Sequence, residues 1–217
     1  MQPPKTALGL VGVVLLLSAS HGDIETAVRE RIRRQTGHSR ETIEKGKERW
    51  AIKTLADAGA ARLKPKSIWK TTVNQLVHLP AERGKEQIRL ATETKIVRVR
   101  ARLVGISLEK DGDYHVAIAD PDTGQTMIAE AVNPKYFSNR KWKSTIQQVR
   151  KAFDQQFHRS PNAKFSDPKF TELIGEATIE GVLFFDRAHG QIGKARNNLE
   201  IHPILRIRFS HARSASG

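Results

Sequence analysis

Residues 95–104 read Lys-Ile-Val-Arg-Val-Arg-Ala-Arg-Leu-Val, with Val97, Val99, Ala101 and Leu103 alternating with Arg98, Arg100 and Arg102. A period of two with one apolar and one charged face predicts a strand that buries one side. Asp111-Gly112-Asp113 is a turn signal, and a second strand follows over 114–119. The run Asp120-Pro121-Asp122-Thr123-Gly124 turns the chain again, into a third strand over 126–132. Two further apolar-rich runs, 177–185 and 199–209, complete a set of five. Between the third and fourth, Trp142, Ile146, Val149, Phe153 and Phe157 recur every three or four positions. That spacing predicts one buried face of a helix over 141–157. Lys141, Lys143, Arg150 and Lys151 fall on its other faces and are expected in solvent.

Five strands with one helix between the third and fourth form the outline of an OB-fold, a small closed barrel that usually holds an oligomeric ligand. The expected fold is therefore mainly β: a five-stranded OB-fold-like barrel over 93–210, its helix plugging one end. Upstream the pattern is weaker. Asp23 can cap a helix running through Gln35, with Ile24, Ala27, Val28 and Ile32 as a narrow apolar stripe. Residues 39–49 are almost wholly polar and read as a solvated linker or frayed helix. The globular part begins at Trp50, and no clear periodicity marks the stretch from there to Trp69. Thr72 to Leu79 reads as one short helix ended before Pro80, and 82–93 as a charged connector. Residues 23–92 thus form a partly helical N-terminal extension.

The first 22 residues carry a different signal. Lys5 precedes an apolar run over 7–17, and Ser18-Ala19-Ser20 offers the small residues that a signal peptidase reads. A membrane span needs about 20 apolar residues, so residues 1–22 read as a secretory signal peptide cut near Ser20 or Gly22, with an uncleaved N-terminal anchor as the alternative. This predicts a periplasmic or secreted protein with no transmembrane segment after cleavage. The chain contains no cysteine, which excludes disulfides, thiolate metal sites, a cysteine nucleophile and lipid attachment through an N-terminal Cys.

Charge narrows the partners. Lys+Arg 37 against Asp+Glu 23 gives a formal net charge of +14, a field that attracts nucleic acid, anionic lipid or acidic envelope polymers. The connection between the last two strands, 186–198, is long for a hairpin and carries Arg187, His189, Gln191, Lys194 and Arg196 beside Gly190 and Gly193. In OB-folds this loop and the one after the first strand form the binding rims, and cations with exposed backbone amides suit phosphate or carboxylate. The opposite rim, 109–113, is acidic, and aromatic residues amount to 6%. Both features disfavour a single-stranded nucleic acid, which leans on aromatic stacking.

Histidines and carboxylates also recur in or beside the strands: His115, His189, His202, Glu130, Asp186 and Glu200. Glu200 and His202 share the face opposite Leu199 and Ile201. Imidazole plus carboxylate from neighbouring strands can bind a divalent metal or form a general base with its orienting partner. The metal alternative rests on His115, His189 and His202. No HExxH, GxSxG, SxxK or P-loop pattern occurs. Asp111-Gly112-Asp113 is similar to the Asp-Gly-Asp turn of staphylococcal-nuclease-type barrels, where an aspartate helps bind calcium. That family's arginine in the next strand has no counterpart in 127–134.

Six segments together resemble an uncharacterised family of exported bacterial proteins with an OB-fold-like domain. They are Arg49-Trp-Ala-Ile-Lys-Thr54, Asp113-Tyr-His-Val-Ala-Ile-Ala-Asp120, Thr126-Met-Ile-Ala-Glu130, Gly181-Val-Leu-Phe-Phe-Asp186, His189-Gly-Gln-Ile-Gly193 and Asn198-Leu-Glu-Ile-His-Pro203. The chain departs from the family in having Asn133-Pro-Lys-Tyr136 where a cysteine often stands, and lysine and arginine at Lys194 and Arg196 where neutral residues are usual. The resemblance implies export and a bacterial origin and brings no reaction with it. The expected function is a non-catalytic binding module of the bacterial envelope, without cofactor. It would meet an anionic polymer or acidic protein through the 186–198 loop. A metal-dependent hydrolase or nuclease, and a nucleic-acid-binding protein, are the alternatives.

Overall fold

The structure, a computed structural model, describes residues 22–24, 26–28, 30, 49–83, 88–137, 140–157, 170–173, 175–187 and 191–210. Residues 1–21 of the expected signal peptide, most of the polar stretch 39–49 and His189 lie outside them. Seven strands are found among the described residues: β1 (Ile68–Lys70), β2 (Ile96–Leu108), β3 (Tyr114–Ala119), β4 (Thr126–Ala131), β5 (Thr171–Glu172), β6 (Glu176–Phe185) and β7 (Leu199–Phe209). Five of them close on themselves in the order β2-β3-β4-β7-β6, and β6 returns to β2. Only β4 and β7 run parallel within this ring. The result is a closed, mixed, five-stranded barrel.

Alternation decides which side chains fill it. Val97, Val99, Ala101 and Leu103 of β2 point inward, as the sequence period demands, and meet Tyr114, Val116 and Ile118, then Met127, Ala129 and Ala131. Ile179, Leu183, Leu199, Ile201 and Ile204 complete the interior. Outside, Arg98 pairs with Glu180 at 2.8 Å and Arg100 with Glu176 at 3.2 Å, partly neutralising the arginine face of β2. The β6–β7 ladder slips beside Gly181, where a Cβ would meet the Pro203 carbonyl oxygen at 2.6 Å. Only glycine allows the strands to come so close.

Helix Arg140–Gln156 follows β4 and buries Trp142, Ile146, Val149 and Phe153, matching the expected stripe. Val149 and Phe153 join the barrel interior. Trp142 and Ile146 pack instead with Leu55, Leu63, Ile96, Phe137 and Val182, a second cluster. Arg150 corrects an expectation. It is not in solvent: its guanidinium lies 3.4 Å from the centroid of the Tyr114 ring and donates to the carbonyls of Gly112 and Ala131.

The extension differs most from its sequence reading. Short helix Trp50–Lys53 is preceded by Arg49, which is buried rather than part of a solvated linker. Its guanidinium holds Glu93 through two contacts of 2.5 and 2.7 Å and donates to the Phe185 carbonyl. The connector 82–93 likewise buries Arg89 and Glu93. β1, parallel to β2, was not marked by any periodicity. Helix Val73–Val77 lies where the sequence places one, opened by a Thr72–Gln75 capping box. Among the described residues no helix is long and apolar enough to cross a membrane.

Candidate functional site

The side chains on the outer wall of β3, β4 and β7 should be solvated in a simple barrel. Here they are buried, and several are ionisable. His115 and Glu130 are directly opposed across the β3–β4 ladder, on the faces turned away from Tyr114 and Ala131 in the core. Glu200 of β7 stands opposite Ile128 and Phe184, and His202 follows it on the same face. Asp113 enters from the turn before β3 and Asp186 from the end of β6. Asp113, His115, Glu130, Asp186, Glu200 and His202 are all less than 10% exposed.

Glu130 is the hub. One carboxylate oxygen lies 3.1 Å from His202 Nε2 and the other 3.6 Å from His115 Nδ1. His115 donates its Nε2–H to the Ile192 carbonyl at 2.8 Å, so this imidazole pins the 186–198 loop onto the barrel wall. Gly193, with φ of +81°, lets the loop lie flat on β3, since a Cβ there would be 2.6 Å from that of Ala117. Lys53 Nζ and Gln191 Nε2 reach Asp186 Oδ2 at 3.4 and 3.3 Å. Asp113 accepts the Asn133 N–H at 2.6 Å. The His202–Pro203 peptide is cis.

Electrostatics follow from this crowding. Burial opposes charge on His115, but the Glu130 carboxylate, through hydrogen bonding and charge, raises its pKa to about 9. Burial also opposes ionisation of Glu130, yet His202, His115 and Lys53 hold it well below the usual carboxylate range. Asp113 is pushed well above that range by burial and then by Asp111 and Glu130. Asp111 is raised by burial and by Glu130. Lys53 is raised despite burial because Asp186, Glu130 and Glu200 face it.

Asp113, Glu130 and His202 each offer a ligand atom, and these atoms lie within 4.8 Å of one another. Among the described residues this is the arrangement that can hold a metal ion. No protein-family model and no curated protein matches the chain, so its chemistry is read from this geometry alone. The centre can do two things: retain protons between carboxyl and imidazole groups, or take a cation in their place.

Of the loop residues singled out in the sequence, Arg187 and Arg196 are exposed and Lys194 is half-buried. Gln191 is turned inward to Asp186, and His189 lies outside the described residues. Arg196 is tied down by donating to the Val77 carbonyl, and Asn197 by donating to those of Leu76 and Leu79. His115 and His202 do come together, on either side of Glu130. Asp113 and Lys53 are not among the residues singled out for the site, although Asp113 lies in the Asp-Gly-Asp turn compared with a calcium-binding one and both lie in segments of the family resemblance. A further signal is position, each one residue from a side chain of the apolar core, Tyr114 and Ile52.

Proposed function

We propose that the protein is an exported, non-catalytic binding module of the bacterial envelope, an OB-fold-like barrel that holds an anionic polymer across its 186–198 loop. The ring order, the single parallel pair and the helix after β4 support the OB-fold-like reading. In such barrels, the face of the second and third strands and the loops beside it form the binding surface. Those strands are β3 and β4 here, and since both are buried throughout, the loop beside them is the part left to meet a ligand. One observation carries the ligand class. The loop's only carboxylate, Asp186, is buried against Lys53, whereas Arg187, Lys194 and Arg196 reach the surface. The outward charge of the described loop is therefore wholly positive. Because Gly193, Arg196 and Asn197 seat its backbone, those cations need little ordering on binding.

The six segments of the family resemblance meet instead in the buried centre beneath the loop, each contributing a side chain there: Lys53, Asp113 with His115, Glu130, Asp186, Gln191, and Glu200 with His202. The cations Lys194 and Arg196 are this chain's own departures from that pattern. Export rests on the apolar run over 7–17 and its small-residue boundary.

Calorimetry with short inorganic polyphosphate tests the binding reading. Affinity should fall steeply as salt rises, because bound counterions are released. A combined Arg187→Gln, Lys194→Gln, Arg196→Gln variant with unchanged melting behaviour should bind at least about tenfold more weakly. Salt-independent binding, or equal binding by that variant, overturns it. Preference for single-stranded DNA over polyphosphate would favour the nucleic-acid alternative instead.

A further inference from the structure

We propose that Asp113, Glu130 and His202 bind one divalent first-row cation, of which zinc is the natural probe. This inference does not depend on what the 186–198 loop binds.

The donor set is the first ground. Two carboxylates and one imidazole are brought from a turn and two strands that are adjacent only because β4 and β7 pair in parallel. Zinc accepts imidazole nitrogen and carboxylate oxygen at about 2.0–2.2 Å in a tetrahedral shell, so two donors on one ion stand roughly 3.3–3.6 Å apart. Glu130 and His202 already offer atoms 3.1 Å apart, and the three donor atoms, all within 4.8 Å of one another, reach that spacing with side-chain shifts of up to about 1 Å. Imidazole argues against calcium and magnesium, which take oxygen ligands.

The second ground is the imidazole itself. His202 is 3% exposed, its Nε2 faces Glu130 at 3.1 Å, and its Nδ1, across the ring, has no hydrogen-bond partner. No acceptor fixes the tautomer from the Nδ1 side, so the ring can carry its proton there and turn the Nε2 lone pair to a cation shared with Glu130. The third ground is charge. In and around the trio stand five carboxyl groups, Asp111, Asp113, Glu130, Asp186 and Glu200, against the cationic side chains Lys53, Arg150 and His115, and Lys53 is already engaged by Asp186 at 3.4 Å. A bound cation compensates that excess without any further side chain.

The surroundings are those of a built site. His115 leans on Glu130 and is itself fixed by the Ile192 carbonyl. Asp113 is held by the Asn133 N–H. Such outer contacts orient ligands and tune affinity, and losing one weakens metal binding roughly 10–100-fold.

The test is zinc titration of the purified protein after chelator treatment, followed by calorimetry and thermal melting. The expected result is one zinc per chain and a raised melting temperature. Asp113→Asn, Glu130→Gln and His202→Asn, which nearly preserve size, should each abolish both effects. His115→Gln should weaken binding roughly 10–100-fold, and replacing the exposed His78 by Ala should change nothing. Where a variant does not fold, the wild type still decides, because zinc must shift the ring resonances of His202. A folded wild type that takes no zinc, or that takes calcium instead, overturns the proposal, as do folded Asp113→Asn, Glu130→Gln and His202→Asn variants that bind zinc as well as it does.

Discussion

At the scale of single residues, Glu130 is a fully buried carboxylate kept ionised by two imidazoles, and that has a pH consequence. His115 has a folded pKa of about 9 against an ordinary 6.5, so its protonated form is favoured by folding. A raised histidine contributes stability that is complete below about pH 6.5 and is lost as pH rises through 9. On the acid side two shifts oppose each other. Glu130, depressed, loses its contribution as pH falls, whereas Asp113, raised, favours folding at low pH. The clean signal is therefore the alkaline limb. In metal-free protein, stability from denaturant titrations should decline between pH 6.5 and 9, and His115→Gln should flatten that decline. A ring resonance of His115 titrating near 6.5 in the folded protein would refute the assignment.

At the scale of elements, helix Arg140–Gln156 joins the barrel interior to the cluster on its outside. Phe153 is fully buried and meets Tyr114, Phe157 and Phe209, with ring centroids 6.1, 6.0 and 5.4 Å away. Phe153→Ala should cost about 3–5 kcal/mol by equilibrium unfolding, and a loss under about 1 kcal/mol would mean the helix is peripheral. These elements were legible because period two and period 3.6 survive wherever one face alone is buried. That held for β2 and for the helix stripe. It failed for β1, only three residues long, and for β5, only two. Arg150 defeated the rule differently, since a cation on the stripe's flank can cover an aromatic ring instead of meeting water. The site was half legible. Period two placed Glu200 and His202 away from the core, but not the fact that 49–57 and 186–198 would cover that wall. Covering turns a solvated face into a buried centre, and no local pattern encodes it.

At the scale of the whole molecule, residues 49–57 act as part of the barrel despite lying outside its five strands. Arg49 neutralises Glu93 with both side chains at most 1% exposed, and Lys53 answers Asp186 at 3.4 Å. Asp57, in the same segment, pairs with Arg89 at 2.6 Å. Glu93, Asp186 and Arg89 belong to the other side of the contact, so removing the segment strips each of its ion-pair partner and uncovers the wall. Breaking a buried pair costs up to roughly 3–5 kcal/mol, and here three are broken against a typical domain stability of roughly 5–15 kcal/mol. Leu55, buried with Ile96 and Val182, goes with them. A chain beginning at Gly22 should therefore melt cooperatively, whereas one beginning at Ala58, with all five strands intact, should be largely unfolded or lack a cooperative transition. Arg49→Ala alone should lie between the two, because it leaves Glu93 to the N–H groups of Leu90 and Phe185. If the chain starting at Ala58 melts like the longer one, the barrel is self-sufficient, and the buried pairs at its wall serve the polar centre instead of the fold.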